Sequence, residues 1–266
     1  MASKTELLGS RKLGLTEDQL STYQREGVLL IRKVFDESEV REFGDEAHRI
    51  FETYDHLLNE NNLRTRYTLH HESGLPVFEK FDPFVDLSSV ARTMVQDERI
   101  LQPLSTIYGE PACLFKDKLI YKPPGATGAT LHQDWISWPG FPESFITVLV
   151  AIDPFTATSG ATEFYLGEHK RGYLSPRDTQ HHVLKASQFE GRPTTLEMEP
   201  GDMAIFSCFV PHSSAPNFSS SHRRGYFISY NALSDGGNQY HSHYAEFHHW
   251  IRARYPEPRR SELYFA

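Results

Sequence analysis

The sequence predicts an α+β fold whose second half is an antiparallel β-sandwich or barrel. Three features carry that expectation. From Pro111 onward, short apolar runs are separated by turn clusters such as Pro123-Pro124-Gly125, Pro139-Gly140, Ser159-Gly160 and Pro200-Gly201-Asp202, the punctuation of many short strands. Before Pro111, apolar residues recur at three- and four-residue steps, which is helical spacing. Helices first and strands after is the order of an α+β chain.

Residues 1–13 read as a flexible tail, and residues 14–266, with no linker, repeat or low-complexity segment, as one domain. Thr16 and Gln19 form a capping-box pattern, so a short helix follows and ends near Gly27. Val28–Val34 is apolar and partly β-branched and predicts a strand. Asp36 with Glu39 offers a second cap, after which Val40, Phe43, Ala47, Ile50, Phe51, Tyr54 and Leu58 mark one face of a long helix over about residues 37–60. Residues 61–88, broken by Gly74, Pro76 and Pro83, are expected to be irregular, and residues 87–108 to hold one or two further helices. The candidate strands are Leu114–Tyr121, Thr130–Asp134, Phe145–Ile152, Thr162–Leu166, Thr194–Met198, Met203–Cys208 and Tyr226–Asn231. Gln239–Tyr255, rich in His and Tyr, is expected to be helical.

Composition narrows the function. The 266 residues carry 27 Lys and Arg against 35 Asp and Glu, a net charge of −8, with 14 His but only two Cys. Two thiols make at most one bridge, so a disulfide scaffold is excluded, as are cysteine-rich zinc and iron–sulfur sites. Cys113 and Cys208 fall in candidate strands, where a buried inert thiol is the ordinary outcome. Any bound metal must then take histidine and carboxylate ligands. An acidic chain lacks the basic surface of a non-specific nucleic-acid binder. The longest apolar stretch, Phe145–Ile152, has eight residues, far short of the roughly 20 that cross a bilayer. Met1–Arg11 lacks the apolar centre of a signal peptide. A soluble cytoplasmic protein without nucleic-acid or membrane partners is the expectation.

Leu131-His132-Gln133-Asp134 ends a candidate strand. Residues i and i+2 of a strand share a face, so His132 and Asp134 converge on one ion while Gln133 points away. A third ligand has to come from elsewhere; His212, 78 residues beyond Asp134 and just after the Val210-Pro211 turn, is the candidate. Two His and one carboxylate leave three coordination positions open, the arrangement of non-heme Fe(II) oxygenases. Alone, a His-x-Asp in so histidine-rich a chain is a surface His beside a turn Asp; the downstream context raises it. Arg223 and Arg224 follow His212 by about eleven residues. An Arg one strand over can clamp a dicarboxylate bidentately, its ordinary alternative being an exposed strand-edge charge.

Taken in order, these segments resemble the phytanoyl-CoA dioxygenase (PhyH-like) family of Fe(II)/2-oxoglutarate oxygenases. The resemblance runs from Leu15–Ile31 through Lys118, Lys122-Pro123-Pro124-Gly125, Leu131–Asp134, Val150–Asp153, Ser159–Thr162 and Gly167–Lys170 to Pro200-Gly201-Asp202, Pro211–Ser214 and Arg223. It implies a double-stranded β-helix, the jelly roll of the cupin type, with N-terminal helices packed on the major sheet and a C-terminal helix. It implies that His132, Asp134 and His212 hold Fe(II), that Arg223, or Arg224 as fallback, grips the distal carboxylate of 2-oxoglutarate, and that Ser214 helps this clamp. Lys118 and Thr147 are cosubstrate contacts from neighbouring strands on the same basis. His169, in the Gly167–His169 turn, is implied to be structural. Many members carry Trp where this chain has Leu149. Asp134 argues against a halogenase, whose relatives lack that carboxylate. The reaction implied uses O2, converts 2-oxoglutarate to succinate and CO2, and hydroxylates an unactivated C–H of a small molecule.

The substrate pocket is expected above the metal, lined by Trp135, Trp138, Phe141 and Phe145, by Tyr67, His70 and His71, and by Tyr240 and His241. Single aromatics of this kind are ordinarily rim packing, though together they suit a cation or a ring. The C-terminal third is similar to the branch that includes 2-aminoethylphosphonate dioxygenases, with Arg64, Arg66 and Asn231 as candidate phosphonate contacts. A natural-product tailoring oxygenase and a cupin-like metalloenzyme that needs no 2-oxoglutarate are the alternatives.

Overall fold

The computed structural model describes residues 14–60 and 62–252. The expected tail, residues 1–13, and positions 253–255 of the expected last helix lie outside them.

Helix α1, Glu17–Glu26, begins with the capping box read from the sequence: the Gln19 amide donates to Thr16 Oγ1 at 3.2 Å and the Thr16 amide to Gln19 Oε1 at 2.9 Å. Gly27 ends it at φ 76°, a left-handed cap that glycine adopts without Cβ strain. Strand β1, Val28–Ile31, follows directly. The Asp36–Glu39 box opens α2, Glu37–Tyr54, which passes into a single 3₁₀ turn at Asp55–Leu57. Helices α3, Ser89–Met94, and α4, Glu98–Tyr108, complete the helical layer.

The remaining strands are β2 Thr65–Leu69, β3 Pro76–Phe81, β4 Ala112–Ile120, β5 Ile146–Ala151, β6 Thr162–Phe164, β7 Thr194–Thr195, β8 Met203–Ser207, β9 His212–Ser214 and β10 Gly225–Ala232. They form a seven-stranded antiparallel sheet, in the order β1-β8-β5-β10-β4-β3-β2, facing a three-stranded sheet in the order β7-β6-β9. Helix α5, Tyr240–Arg252, lies against β4. This is the jelly-roll core with helices on the major sheet.

Alternation along the central strands separates two cores. Val148 and Val150 of β5, Ile205 of β8, and Tyr226 and Ile228 of β10 join Val40, Phe43, Ala47 and Ile50 of α2 and Ile100 and Leu104 of α4. On the opposite face, Leu149, Ala204, Phe206 and Phe227 meet Phe155, Phe164 and Met198 between the sheets. Each Val, Leu, Ile, Phe or Met among them contributes about 1.5–3 kcal/mol on burial. Because both faces of β5 are covered, it reads as one apolar run.

Three expectations are corrected. Residues 61–88 hold the β2–β3 hairpin; its register slips between Arg66 and Tyr67 and Pro76 opens its second strand, so no clean alternation shows in the sequence. Thr130–Asp134 is not a ladder strand but makes one bridge, His132 to His212. Thr194–Met198 shrinks to Thr194–Thr195, with Met198 bridging separately to Phe155.

Candidate metal centre

His132 and Asp134 lie on an extended segment tied by its backbone to the stretch around His212. The His132 amide donates to the His212 carbonyl at 3.0 Å, the His212 amide returns the bond at 2.9 Å, and the Asp134 amide donates to the Cys208 carbonyl at 3.0 Å. The expected period of two holds without a full strand. Gln133 points away, donating through Nε2 to the Gly172 and Phe209 carbonyls and accepting from the Leu174 amide, so it pins the neighbouring loop.

The three side chains converge. Nε2 of His132 lies 3.8 Å and Nε2 of His212 3.9 Å from Asp134 Oδ1. Among the described residues this is the only group of three or more His, Cys, Asp or Glu whose ligand atoms all fall within 4.8 Å of one another. The outward nitrogens are committed: Nδ1 of His132 is 2.6 Å from the Thr130 carbonyl and Nδ1 of His212 is 3.0 Å from the Val210 carbonyl. A carbonyl only accepts, so each Nδ1 carries its proton and each Nε2 presents a lone pair inward, as metal ligation requires. Thr147 Oγ1 donates to Asp134 Oδ2 at 3.1 Å, leaving Oδ1 toward the histidines. Burial alone would raise the Asp134 carboxyl, but the Lys118 and Lys116 ammoniums hold it well below the usual carboxylate range. Burial, then His212, holds His132 well below the ordinary imidazole value. Two neutral imidazoles and one carboxylate suit a divalent iron-type ion.

The two adjacent arginines part company. Arg224 pairs with Asp153 through Nε and Nη2 at 2.8 and 2.9 Å and donates through Nη1 to the Gly44 carbonyl, on the helix side of the sheet. Arg223 is buried at 4% exposure, its guanidinium carbon 4.3 Å from the Phe155 ring centroid, with Nε and Nη1 lacking any hydrogen-bond partner. Burial pulls it down to about 9 against the attraction of Glu79 and Asp153. A buried guanidinium with orphaned donors fits an anion.

The other expected positions are placed as follows. Ser214 Oγ accepts from Lys122 Nζ and the Ala129 amide, each near 3 Å, rather than from Arg223. Thr147 meets Asp134 and Ser229. Lys118 stands over the Phe227 ring at 5.6 Å on the inner face. Arg64 is fully buried and paired with Asp86, and the Asn231 amide closes the turn after β10 on the Ala232, Asp235 and Gly237 carbonyls, so both serve the fold. Tyr240 reaches the buried Asp117 on the helix side. The His169 ring occupies the space that a Cβ on Gly27 would take. Cys113 and Cys208 are free thiols. A cavity of about 720 Å³ beside Phe51, Tyr121 and Arg224 holds none of the three converging side chains.

Two further groups lie near the centre, Lys122 of the Lys122–Gly125 segment and His181. Lys122 Nζ donates to the Gly160 and Ala215 carbonyls and to Ser214 Oγ, and is pulled down to about 6 by burial, then by Arg223. The His181 ring lies 5.0 Å from His132, brought there by a loop held through Trp138 Nε1 and Ser137 to Thr179.

The family model for phytanoyl-CoA dioxygenase (PhyH) matches residues 23–225. The chain belongs to the PhyH family. This PhyH protein is 28% identical over 224 residues to the 2-aminoethylphosphonate dioxygenase of uncultured bacterium HF130_AEPn_1, covering 83% of each chain. It is also 28% identical over 235 residues to the methylphosphonate hydroxylase of Gimesia maris, covering 84% of this chain and 83% of that one. EctD from S. alaskensis, solved with 2-oxoglutarate and 5-hydroxyectoine, superposes with a TM-score of 0.69 at 18% identity over 89% of this chain and 84% of that one, which shows the fold. The PhyH protein is thus an oxidoreductase of the Fe(II)/2-oxoglutarate-dependent dioxygenase class, and no helix among its described residues is long and apolar enough to cross a membrane.

Proposed function

We propose that the protein oxidises a C–H bond of a small phosphonate, with His132, Asp134 and His212 holding Fe(II) and Arg223 holding the distal carboxylate of 2-oxoglutarate. The observation that carries the reading is the convergence of two Nε2 lone pairs and one carboxylate oxygen. The phosphonate class is supported by the 2-aminoethylphosphonate dioxygenase and methylphosphonate hydroxylase relatives.

Bound Fe(II), with O2 and 2-oxoglutarate, supplies oxidative decarboxylation of the cosubstrate to succinate and CO2 coupled to oxidation of the substrate C–H. The chain's own residues prepare for it. The Thr130 and Val210 carbonyls fix the histidine tautomers, and Thr147 fixes the carboxylate. Arg223 waits desolvated, so an incoming carboxylate meets unpartnered donors in a dry setting where the pairing is strong. Trp135, Phe141, Phe145 and Phe115 form a packed aromatic wall beside Asp134 that keeps water from the reacting centre. No side chain has to act as a general base.

The test is an anaerobic Fe(II) titration with 2-oxoglutarate, followed by succinate measurement on adding O2 with methylphosphonate or 2-aminoethylphosphonate. Binding of iron and substrate-dependent succinate are expected, and Asp134→Ala should lose both. Turnover by Asp134→Ala with iron still bound would sink the ligand assignment. Succinate that no phosphonate stimulates would turn the substrate reading toward a natural-product scaffold.

A further inference from the structure

The inner face of the major sheet carries two lysines that neither the ligand set nor the cosubstrate clamp uses. Lys116 and Lys118 are i and i+2 on β4, so both project toward the space between the sheets. Among the described residues neither has a hydrogen bond or ion pair, whereas Lys80 is paired with Glu79 at 3.3 Å. The register sets the two at different depths. Lys118 is opposite Phe227, and its charge acts on Glu79, which also feels Arg223. Lys116 is opposite Ser229, which in turn is opposite Thr147, the residue bound to Asp134. Both lysines act on Asp134, Lys118 the more strongly; Lys118 also reaches the Glu79–Arg223 end, whereas Lys116 stands on the Ser229–Thr147 row that leads to Asp134.

The surroundings of Lys116 are aromatic. Its Nζ is 4.9 Å from the Phe145 centroid and 5.8 Å from that of Phe141. His243 of α5 closes over it, 5.9 Å from Phe141 and 4.3 Å from Phe115. Burial, with Lys118 adding to it, pulls the Lys116 ammonium down to about 8. Nearby, Arg66 keeps a buried Nη2 without a partner.

Positive charge predominates on this face: Arg66, Lys80, Lys116, Lys118 and Arg223 act on Glu79, Asp82 and Asp134, and Asp153 also acts on Arg223. Among the described residues Lys116 has no carboxylate paired with it, so an anion entering beside the metal meets an unpaired ammonium, and a dianion is attracted more strongly than a monocarboxylate at the same distance.

We infer that Lys116 is the ion-pair partner of a dianionic phosphonate head group on the substrate, held beside the metal on the side of the Phe141, Phe145 and His243 rings. The inference rests on the phosphonate reading above and deepens it: the lysine sets the class of head group, and the aromatic rings receive the carbon side.

The test is calorimetric titration of the anaerobic Fe(II)·2-oxoglutarate protein with methylphosphonate and with acetate, for the wild type, Lys116→Met and Lys116→Arg. Methylphosphonate should bind the wild type more tightly than acetate, and Lys116→Met should weaken it about tenfold or more while 2-oxoglutarate affinity stays within about twofold. Lys116→Arg should recover part of the loss, which separates charge from folding. Unchanged methylphosphonate affinity in Lys116→Met overturns the inference alone. Loss of 2-oxoglutarate affinity instead overturns it by assigning Lys116 to the cosubstrate. A wild type that binds 2-oxoglutarate but no phosphonate overturns the substrate reading and the inference with it.

Discussion

The Thr147 hydroxyl donates to Asp134 at 3.1 Å and lies 3.2 Å from Ser229 Oγ, so one side chain of β5 orients the only carboxylate of the candidate metal centre. Thr147→Val keeps the shape and removes the donor. Outer partners of metal ligands are worth about 10–100-fold in affinity, and Fe(II) titration of Thr147→Val should show a loss in that range with the thermal unfolding midpoint little changed. An affinity equal to wild type would reduce Thr147 to core packing.

Arg223 and Arg224 should fail in different ways. Arg223→Met is expected to raise the KM for 2-oxoglutarate about tenfold or more, with little loss of stability, because its donors have no protein partner to abandon. Arg224→Met strands Asp153 and should cost about 1–3 kcal/mol, read as a lower denaturation midpoint with the 2-oxoglutarate KM preserved. The reverse pattern would exchange the two roles.

Phe43 is fully buried where α2 meets the sheet, with its ring 5.0 Å from Tyr226 and 6.0 Å from Phe84. Phe43→Ala should lower stability by about 3–5 kcal/mol in a denaturant melt. A cost under about 1 kcal/mol would mean that the helical layer repacks freely.

The Lys116 assignment has a pH signature. The groups acting on it are Lys118 on its own strand, Asp82 and Lys80 from β3 and its end, and Asp134. His243 on α5, held down to about 3 by burial, is neutral throughout. A lysine is charged below its pKa, so its attraction for a phosphonate is present at neutral pH and lost as pH rises through about 8. In the wild type, kcat/KM for the phosphonate should fall over that range; in Lys116→Arg, whose guanidinium stays charged, the fall should move out of it. Identical profiles would count against Lys116.

Much of this is legible in the amino-acid sequence. The capping boxes at Thr16 and Asp36 are short-range grammar and appear where the residues stand. His132, Asp134 and His212 follow from a two-residue period and one ordered motif, because the ligand spacing is carried by the chain itself. The β2–β3 hairpin was hidden because a bulge destroys the alternation a reader relies on. Arg223 could not be told from Arg224 by sequence, since adjacent residues on an extended segment face opposite ways and only the sheet says which way is in. Lys116 and His181 were silent for a similar reason: each gains its meaning from a partner far along the chain.

The reciprocal backbone bonds between His132 and His212 have a consequence for assembly. Both imidazoles are offered to one ion only when a late segment of the chain has zipped against an early one in a single alignment. A slip by one residue would present Ser213 in place of His212. The half-formed chain thus holds only the His132–Asp134 pair, and capture of the ion by all three side chains reports that closure has occurred. An ion bound only by the closed form adds to its stability by mass action, so starving the protein of iron should loosen the seam between the two sheets before it disturbs the helices.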